Sequence, residues 1–329
     1  MIAASFGAND MYALLKLLQD GKFHSGEVLG SAMGLSRMAV WKRLQQLEQE
    51  LDLRLHSVRG KGYRLAEPLS LLDEARHAEL SLVDWPVQVY LESDSTNVEA
   101  MRQLQGGLRP PFVIMAERQT AGRGRRGRRW VSPFGCNLYF SLAWPVERGA
   151  RELEGLSLVV GLAVRHVLQG FGLVRVGLKW PNDVLIDGKK IAGILLELVG
   201  DPADTCHVII GIGINVNMHA VPETIDQPWT SMCMETAEQI DRNLLCARLC
   251  DALADWLSRH RTKGFSTLRQ EWETAHAWQG RDVRLTSGNQ AIEGKIMGVN
   301  ERGALRLLVG GIEKTFSGGE LSLRLSHDA

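Results

Sequence analysis

The sequence of 329 residues lacks a long apolar run and has no net charge. No apolar stretch approaches the roughly 20 residues that a membrane-spanning helix needs, and no basic segment, apolar core and small-residue cleavage site follow one another at the N-terminus. These absences predict a cytoplasmic protein with no membrane partner. Because the formal charge is zero, the binding of an anionic partner must depend on local clusters of charge.

The cysteines are few and do not form a paired motif. Five cysteines, an odd number without a C-x-x-C spacing, indicate neither a disulfide framework nor a zinc site. Cys246 and Cys250 share one helix face. We interpret them as small core residues, because two further metal ligands are not evident in the sequence.

What is present is a globular composition, with 45% hydrophobic and 23% charged residues. A chain of this length is long enough for two or three domains with a well-buried core. Changes in hydrophobic periodicity predict an N-terminal domain over 1–67, a central domain over 68–278 and a C-terminal domain over 279–329.

The N-terminal segment has the outline of a winged helix-turn-helix. Helical periodicity runs from Met11 to about Gln49, with Ser36 as a predicted N-cap, and an alternating stretch then surrounds a tight turn at Gly60–Gly62. Between 36 and 64, seven Lys or Arg stand against three acids, a surplus that suits DNA phosphates. The predicted DNA-binding residues are Arg37, Val40, Trp41, Arg43, Arg59 and Lys61. A helical interaction module with merely solvated lysines is the alternative.

The central and C-terminal segments predict an α+β fold. We expect strands at VQVYLES, FVIMAERQ, NLYFSLAW, VGLKWPNDVLID, KKIAGILLELVG and HVIIGIGINVN, with long helices from about Leu153 and from about Arg242. Several strands follow one another without an intervening helix, which favours an α+β sheet over a doubly wound one. After Gly280, short alternating strands predict a small β-barrel.

The densest charge cluster is GRGRRGRRW, from Gly122 to Trp130, which holds five arginines and three glycines. It lies between two predicted strands and is therefore a loop anchored at both ends, not a disordered nucleic-acid tail. Glycines let the backbone approach a ligand, and arginine can bind an oxyanion through two hydrogen bonds. The loop predicts a phosphate-bearing ligand, although the sequence has neither a Walker A motif nor a dinucleotide-binding fingerprint.

Three further motifs lie in the same segment. SDSTN, from Ser93 to Asn97, suits a small polar group, although it also suits a plain N-cap and turn. KWPND, from Lys179 to Asp183, offers a cation, a rigid turn and a carboxylate, or only a turn between strands. KKIAGILLE places Lys190 at the start of an apolar strand, where a surface lysine is the simpler interpretation. Together the motifs are more specific than any one of them.

The motifs STN, QTAGRGRRGRRW, SPFGCNLYFSL, KWPNDVLIDGKKIAGIL and GIGINVN, in this order, resemble the catalytic domain of biotin protein ligases. The basic N-terminal module and the closing GGELSLR resemble the bacterial bifunctional form, which also represses the biotin operon. The resemblance covers nearly the whole chain. It implies a winged helix-turn-helix, a central mixed α/β-sheet ligase domain and a small SH3-like β-barrel.

The resemblance implies a two-step reaction that uses biotin, ATP and Mg²⁺. ATP converts the biotin carboxylate to biotinyl-5'-AMP, and a lysine of the biotin carboxyl carrier protein of acetyl-CoA carboxylase then attacks the acyl carbon. It also implies that biotinyl-AMP promotes a homodimer, which binds operator DNA and represses transcription.

The resemblance also implies roles for single residues. The biotin-binding positions are Ser95, Thr96, Asn97, Gln119, Arg123, Gly124, Arg125 and Lys190. The ATP- or adenylate-binding positions are Arg123, Arg126, Arg128, Lys179, Asn215, Trp229 and Arg324. The catalytic positions are Lys190, Arg125 and Asp183, with Asp183 either a Mg²⁺ ligand or a group that orients the incoming amine.

Two alternatives remain open. A lipoate-type ligase shares the central fold but normally lacks the DNA-binding outline and the arginine loop. A ligand-responsive repressor without catalysis is expected to have lost Lys190 or the loop arginines.

Overall fold

The computed structural model describes residues 8–147, 149–200, 206–220, 225–287, 290–318 and 321–326. In these ranges the chain forms a helical module with a hairpin, a large mixed sheet with helices on both faces, and a smaller antiparallel sheet. None of the helices described is long and apolar enough to cross a membrane. The architecture confirms the α+β prediction.

The N-terminal module is a winged helix-turn-helix. Its elements are α1 (Ala8–Leu18), α2 (Gly26–Met33), α3 (Arg37–Leu51), β1 (Leu55–Val58) and β2 (Gly62–Leu65). The Ser36 hydroxyl accepts a hydrogen bond from the Ala39 N–H and caps α3, as predicted. Gly62 has a φ of 104°, and a Cβ there would overlap the backbone carbonyl of His24, so the hairpin needs glycine at this position.

A short helix, α4 (Glu74–Leu80), follows the hairpin, and the seven-stranded sheet comes next. Its strands are β3 (Val87–Tyr90), β4 (Phe112–Ala116), β5 (Leu138–Val146), β6 (Val176–Lys179), β7 (Asp183–Ile186), β8 (Lys189–Gly200) and β9 (Cys206–Ile214). The spatial order is β3-β4-β5-β9-β8-β7-β6, and β3 and β4 are parallel while the other neighbours are antiparallel.

Helices cover both faces of this sheet: α5 (Thr96–Gln105), α6 (Leu156–Gly170), α7 (Met232–Thr236), α8 (Arg242–Lys263) and α9 (Arg269–Ala275). Side chains alternate between the faces along each strand. Val113 and Ile210 belong to the core formed with α6 and α8, whereas Ile114 and Ile209 pack with Ala100 of α5. The sheet therefore has a large apolar face and a second face that is covered only in part by α5.

The structure differs from the strand prediction at one important point. VGLKWPNDVLID is not one strand but the antiparallel pair β6 and β7, in which Lys179 lies opposite Asp183. Pro181 cannot donate a ladder hydrogen bond, and the chain turns at this residue. The short helices α5 and α9 were also not expected from the sequence.

The C-terminal sheet contains β10 (Asp282–Ser287), β11 (Gln290–Val299), β12 (Leu305–Val309), β13 (Ile312–Phe316) and β14 (Ser322–Leu325). All neighbouring pairs are antiparallel, in the order β13-β12-β11-β10-β14, which is consistent with the expected SH3-like domain. Strand β14 occupies the closing motif, whose Gly319 and Glu320 lie outside the described residues. The predicted boundaries at 67–68 and 278–279 fall between elements, and the division into domains stays a prediction.

Candidate active site

A cavity of about 510 Å³ lies on the α5 face of the large sheet, where β5 and β8 begin and β9 ends. The arginine loop, the β6–β7 turn and β14 complete its wall. Thirteen of the residues predicted for the ligase site line it: Ser95, Thr96, Asn97, Gln119, Arg123, Gly124, Arg125, Arg126, Arg128, Lys179, Asp183, Lys190 and Arg324. Segments that are far apart in the sequence thus meet in one place.

One part of the cavity is a buried network of amides and hydroxyls at the start of α5. The Gln119 Oε1 atom accepts hydrogen bonds from the Thr96 N–H at 2.9 Å and the Thr96 hydroxyl at 3.2 Å. The Asn97 amide accepts from the Ser141 hydroxyl at 2.6 Å and donates to Glu197 at 2.6 Å. These bonds fix the donors and acceptors before a ligand arrives, so the site can recognise a small polar group.

The glycines of GIGINVN make room on this face of β9. A Cβ at Gly211 would overlap the Asn97 amide, and a Cβ at Gly213 would overlap the indole ring of Trp130. Successive strand residues point to opposite faces, so glycine at every second position opens one face only. The interpretation of these glycines as strand residues is confirmed.

The arginine loop is folded back on itself beside the cavity. The Gly124 N–H donates to the Arg128 carbonyl at 2.7 Å, and the Trp130 N–H donates to the Gly122 carbonyl at 2.9 Å. The turn between these bonds uses positive φ angles at Arg126 and Gly127. The loop is therefore an ordered hairpin-like structure that displays several guanidinium groups together.

Two of the loop arginines are tied to other segments. Arg123 forms an ion pair with Glu197 at 3.2 Å. Arg125 donates to the Asn182 side chain at 3.1 Å and to the Leu321 carbonyl at 3.4 Å. Burial lowers the pKa of the Arg125 guanidinium, while the nearby Asp183 carboxylate opposes that shift. Arg125 keeps its charge at neutral pH and is held in position by the β6–β7 turn and by β14.

Asp183 lies between two ammonium groups at the edge of the cavity. Its Oδ1 atom is 2.6 Å from the Lys190 Nζ, and its Oδ2 atom is 3.4 Å from the Lys179 Nζ. Burial alone would raise the pKa of Asp183, but Lys190 and Lys179 outweigh it and hold the pKa below its usual value. Burial lowers the pKa of Lys179 despite the attraction of Asp183. The site therefore contains an ionised carboxylate and two positioned amines.

Asn215 and Trp229 are not among the described residues that line the cavity. Asn215 is buried, and its amide donates to the Thr230 carbonyl at 3.0 Å and to the Lys190 carbonyl at 3.4 Å. The Lys190 N–H donates to the Pro228 carbonyl at 2.9 Å, so the backbone at Trp229 runs beside the start of β8. Asn215 and the two neighbours of Trp229, Pro228 and Thr230, thus hydrogen-bond to the backbone of Lys190.

Several residues of the site were not predicted from the sequence. Trp130 covers Gly213 with its ring, and the Lys190 Nζ is 5.5 Å from the centre of that ring. Ser141 and Glu197 complete the amide network, and Asn182 binds Arg125. Glu197 could have been suspected, because an acidic residue is unusual inside an apolar strand. Ser141 carries no comparable signal.

The predicted DNA-binding residues are separate from this cavity. Arg37 and Trp41 are exposed near the start of α3, Arg59 and Lys61 are exposed at the tip of the hairpin, and Arg43 is partly buried. The prediction for Val40 is wrong. Its side chain is fully buried with Leu44, Leu47 and Leu51 on the inner face of α3, so it packs in the core of the module and cannot reach a base.

Family models match three consecutive parts of the chain. The biotin/lipoate A/B protein ligase family matches residues 68–215, a helix-turn-helix domain model matches 11–64, and the biotin protein ligase C-terminal domain matches 280–324.

Curated relatives and solved structures agree with these matches. The bifunctional ligase/repressor BirA of Salmonella typhimurium is 42% identical over 313 residues, 94% of this chain and 96% of that protein. The protein of the same name from Escherichia coli is 41% identical over 312 residues, with 94% and 96% covered. The biotin protein ligase of Aquifex aeolicus, solved in complex with biotin and ATP, is 34% identical with a TM-score of 0.65, and the match covers 73% of this chain and 99% of that one.

Proposed function

The chain belongs to the biotin/lipoate A/B protein ligase family, and from this premise we propose that it attaches biotin to a lysine of a biotin carrier protein and represses transcription through its helix-turn-helix module. The observation that supports the proposal most strongly is the cavity itself. It combines a buried amide and hydroxyl network, a loop of five arginines and a Lys190–Asp183 pair within about 510 Å³.

The first step forms biotinyl-5'-AMP. The amide and hydroxyl network of Thr96, Asn97 and Gln119 suits the ureido group of biotin, which has both donors and acceptors. The biotin carboxylate attacks the α-phosphorus of ATP, and pyrophosphate leaves. Arg125 and Lys190 provide fixed positive charge for the developing oxyanion, at no cost of reorganisation during the reaction.

In the second step the carrier lysine attacks the acyl carbon and AMP leaves. The attacking amine must be neutral, and the proton that it loses when the amide bond forms and the bond to AMP breaks passes to solvent. Asp183 is ionised and already binds two ammonium groups, so an incoming amine can exchange with Lys179 at its weaker contact of 3.4 Å. We assign Asp183 to orienting the amine.

Mg²⁺ fits Asp183 less well. A magnesium ion prefers open oxygen ligands in near-octahedral geometry, usually together with substrate phosphates. Both carboxylate oxygens of Asp183 are engaged by lysines, which repel a further cation. We expect Mg²⁺ to bind with the triphosphate of ATP and not at Asp183.

The repressor function rests on the exposed residues of α3 and of the hairpin. Arg37, Arg59 and Lys61 are available for phosphates, and Trp41 is 42% exposed. A monomer of this kind contacts only a half-site, so repression is expected from a homodimer promoted by biotinyl-AMP. We infer a cytoplasmic location, because the proposed activity needs ATP and operator DNA.

The alternatives fit less well. Lipoate carries a dithiolane ring without hydrogen-bonding groups, so it would make no use of the polar network of Asn97, which is buried, and Gln119, which is partly buried. A repressor without catalysis would not need the paired Lys190 and Asp183 beside the arginine loop.

ATP–pyrophosphate exchange with biotin or lipoate tests the proposal. We expect exchange with biotin, and a loss on the order of 10²-fold or more in Lys190→Ala, because a fixed cation at the reacting acyl phosphate is removed. The matched control is Lys189→Ala, since Lys189 is the exposed neighbour in the same strand. Exchange with lipoate alone, or wild-type rates in a folded Lys190→Ala protein, would refute the assignment.

A further inference from the structure

His77, Cys246 and Cys250 form a buried cluster away from the active-site cavity. One nitrogen of the His77 ring and the two sulfur atoms all lie within 4.8 Å of one another. His77 is 2% exposed, and both cysteines are fully buried. No disulfide joins any of the cysteines described.

The helices bring these side chains together. Cys246 and Cys250 are four residues apart in α8 and therefore lie one above the other on one face. His77 is in the last turn of α4, which packs against α8. Asp251 of α8 accepts hydrogen bonds from the Leu82 N–H at 2.8 Å and the Ser81 hydroxyl at 3.1 Å, which fixes the end of α4 against α8.

The His77 ring has an unsatisfied polar atom. Its Nδ1 atom is buried and has no hydrogen-bond partner among the residues that the structure describes. Such atoms are rare in folded proteins, because an unpaired buried polar group costs free energy. In the same region, the Cys246 Sγ atom lies 3.1 Å from the thioether sulfur of Met115. Soft sulfur atoms thus lie near an imidazole whose Nδ1 atom has no partner among the described residues.

We propose that His77, Cys246 and Cys250 form a binding site for a thiophilic d¹⁰ cation, Zn²⁺ or Cu⁺, which joins α4 to α8. Two thiolates and an imidazole are ligands that both ions take in proteins. With metal–sulfur distances of about 2.3 Å, the donor atoms around such an ion lie roughly 4 Å apart, so a small inward shift completes the site. Hard cations such as Mg²⁺ and Ca²⁺ are disfavoured, because they require oxygen ligands.

The two ions differ in what they need from the site. Two thiolates neutralise Zn²⁺, which suits an apolar surrounding, but zinc normally takes a fourth ligand. Cu⁺ accepts a thioether, and Met115 is in contact with Cys246. Both ions share the chemistry proposed here, and the experiment distinguishes them.

The position of the site gives the ion a structural role. Asp73 caps α4 and pairs with Lys16 of α1 at 2.6 Å, so α4 directly follows the connection to the DNA-binding module. An ion between α4 and α8 would stabilise that connection against the ligase domain. It would not touch the residues that line the active-site cavity.

The test is metal binding by the full-length, reduced, chelator-treated protein. Zn²⁺ is titrated in competition with a chromophoric chelator, Cu⁺ with a Cu⁺-specific chelator, and Co²⁺ serves as an optical probe of tetrahedral thiolate ligation. We expect one equivalent bound per chain, thiolate-to-metal charge-transfer absorption and a higher unfolding temperature with Zn²⁺ or Cu⁺.

The expected binding is lost in Cys250→Ala and in His77→Gln. It persists in Cys233→Ala, which removes a buried thiol that lies 3.8 Å from the His219 ring and is not part of the His77, Cys246 and Cys250 cluster. X-ray absorption of the wild-type complex provides a readout that needs no variant, with two or three sulfur ligands and one nitrogen expected. Failure of the wild-type protein to bind either ion, or a ligand shell without sulfur, would overturn the proposal.

Discussion

Arg125 shows at the scale of a single residue how a loop side chain obtains a fixed position. Its guanidinium is held by Asn182 in the β6–β7 turn and by the Leu321 carbonyl just before β14. The sequence identified the arginine through its motif, but not the partners that hold it. Those partners are 57 and 196 residues away along the chain, and only tertiary structure brings them together.

We expect Arg125→Gly to release biotinyl-AMP into solution. The adenylate would still form, but the loss of its contacts to the guanidinium would raise its dissociation rate and allow bystander lysines to be labelled. Mass spectrometry of a mixture of carrier and an unrelated protein measures this labelling. The control is Arg109→Gly, an exposed arginine in a loop that does not line the cavity. Labelling confined to the carrier in Arg125→Gly would exclude a retaining role.

His276 predicts a dependence of stability on pH. Burial lowers its pKa from 6.5 to about 4, while the Gln279 side chain opposes the shift. The unfolded chain therefore binds a proton more readily than the folded chain. The contribution of His276 to the free energy of unfolding is fully present above pH 6.5 and is lost as the pH falls towards 4. The loss from this one residue is about 3 kcal/mol of unfolding free energy.

Denaturant unfolding at several pH values between 7 and 4.5 checks this effect. His276→Phe keeps an aromatic ring beside Trp272, whose ring centre is 4.6 Å away, and removes the titration. We expect a weaker pH dependence in that variant, whereas the exposed His166→Phe variant should behave as the wild type. If the free energy of unfolding depends on pH equally in all three proteins, His276 is not the source of the dependence.

At the scale of elements, the segment between the hairpin and α4 is held to the ligase domain by a buried ion pair. Arg242, at the start of α8, pairs with Glu117 after β4, and both side chains are fully buried. The Arg242 side chain also donates to the carbonyls of Ser70 and Asn137 at 2.8 and 2.9 Å, and Glu117 accepts from the Leu72 N–H at 2.6 Å. The connection to the DNA-binding module is thus tied to the strands that carry the active site.

Removing the cation from this network should be costly. Arg242→Met leaves Glu117 buried without its charge partner, and we expect a loss of about 3–5 kcal/mol in the free energy of unfolding. Arg259→Met is the control on the same helix, because Arg259 is 38% exposed and pairs at 3.4 Å with a solvated Glu271. We expect Arg259→Met to lower the free energy of unfolding by no more than about 1 kcal/mol. Equal effects of the two substitutions in urea unfolding would show that the network does not hold the segment.

Local sequence signals predicted some elements and not others. The Ser36 cap and the apolar periodicity were sufficient for α3, and hydrophobic patterning was sufficient for β3, β4, β5, β8 and β9 of the large sheet. The motif KWPND indicated the turn at Pro181, although the strand prediction ran across it. The burial of Val40 depends on how elements pack, which periodicity alone does not reveal. The approach of His77 to Cys246 was likewise invisible, because it arises between two helices that are far apart in the sequence.

At the scale of the whole molecule, ligand binding at the ligase site can change DNA binding only if both ligands favour the same state of the protein. We expect that state to be the homodimer. If biotinyl-AMP orders the arginine loop, and the loop contributes to the dimer surface, the intermediate adds free energy to dimerisation. A dimer presents two helix-turn-helix modules to an inverted repeat.

Operator affinity should therefore rise with biotin plus ATP and fall when apo carrier protein consumes the adenylate. It should also weaken with salt, because Lys and Arg contacts to phosphate release counterions. Sedimentation and operator binding, each with and without biotinyl-AMP, measure the coupling. Equal dimerisation and equal operator affinity in both states would exclude it and leave the ligase assignment intact.

Transfer of biotin to a carrier protein is the measurement that tests the ligase assignment. The full chain is incubated with biotin, ATP, Mg²⁺ and an apo biotin carrier domain, and the carrier is analysed by intact-mass and peptide mass spectrometry. The account predicts one biotin per carrier on a single lysine, with release of AMP and pyrophosphate and no modification by lipoate. An unmodified carrier, or one modified by lipoate in place of biotin, would contradict it.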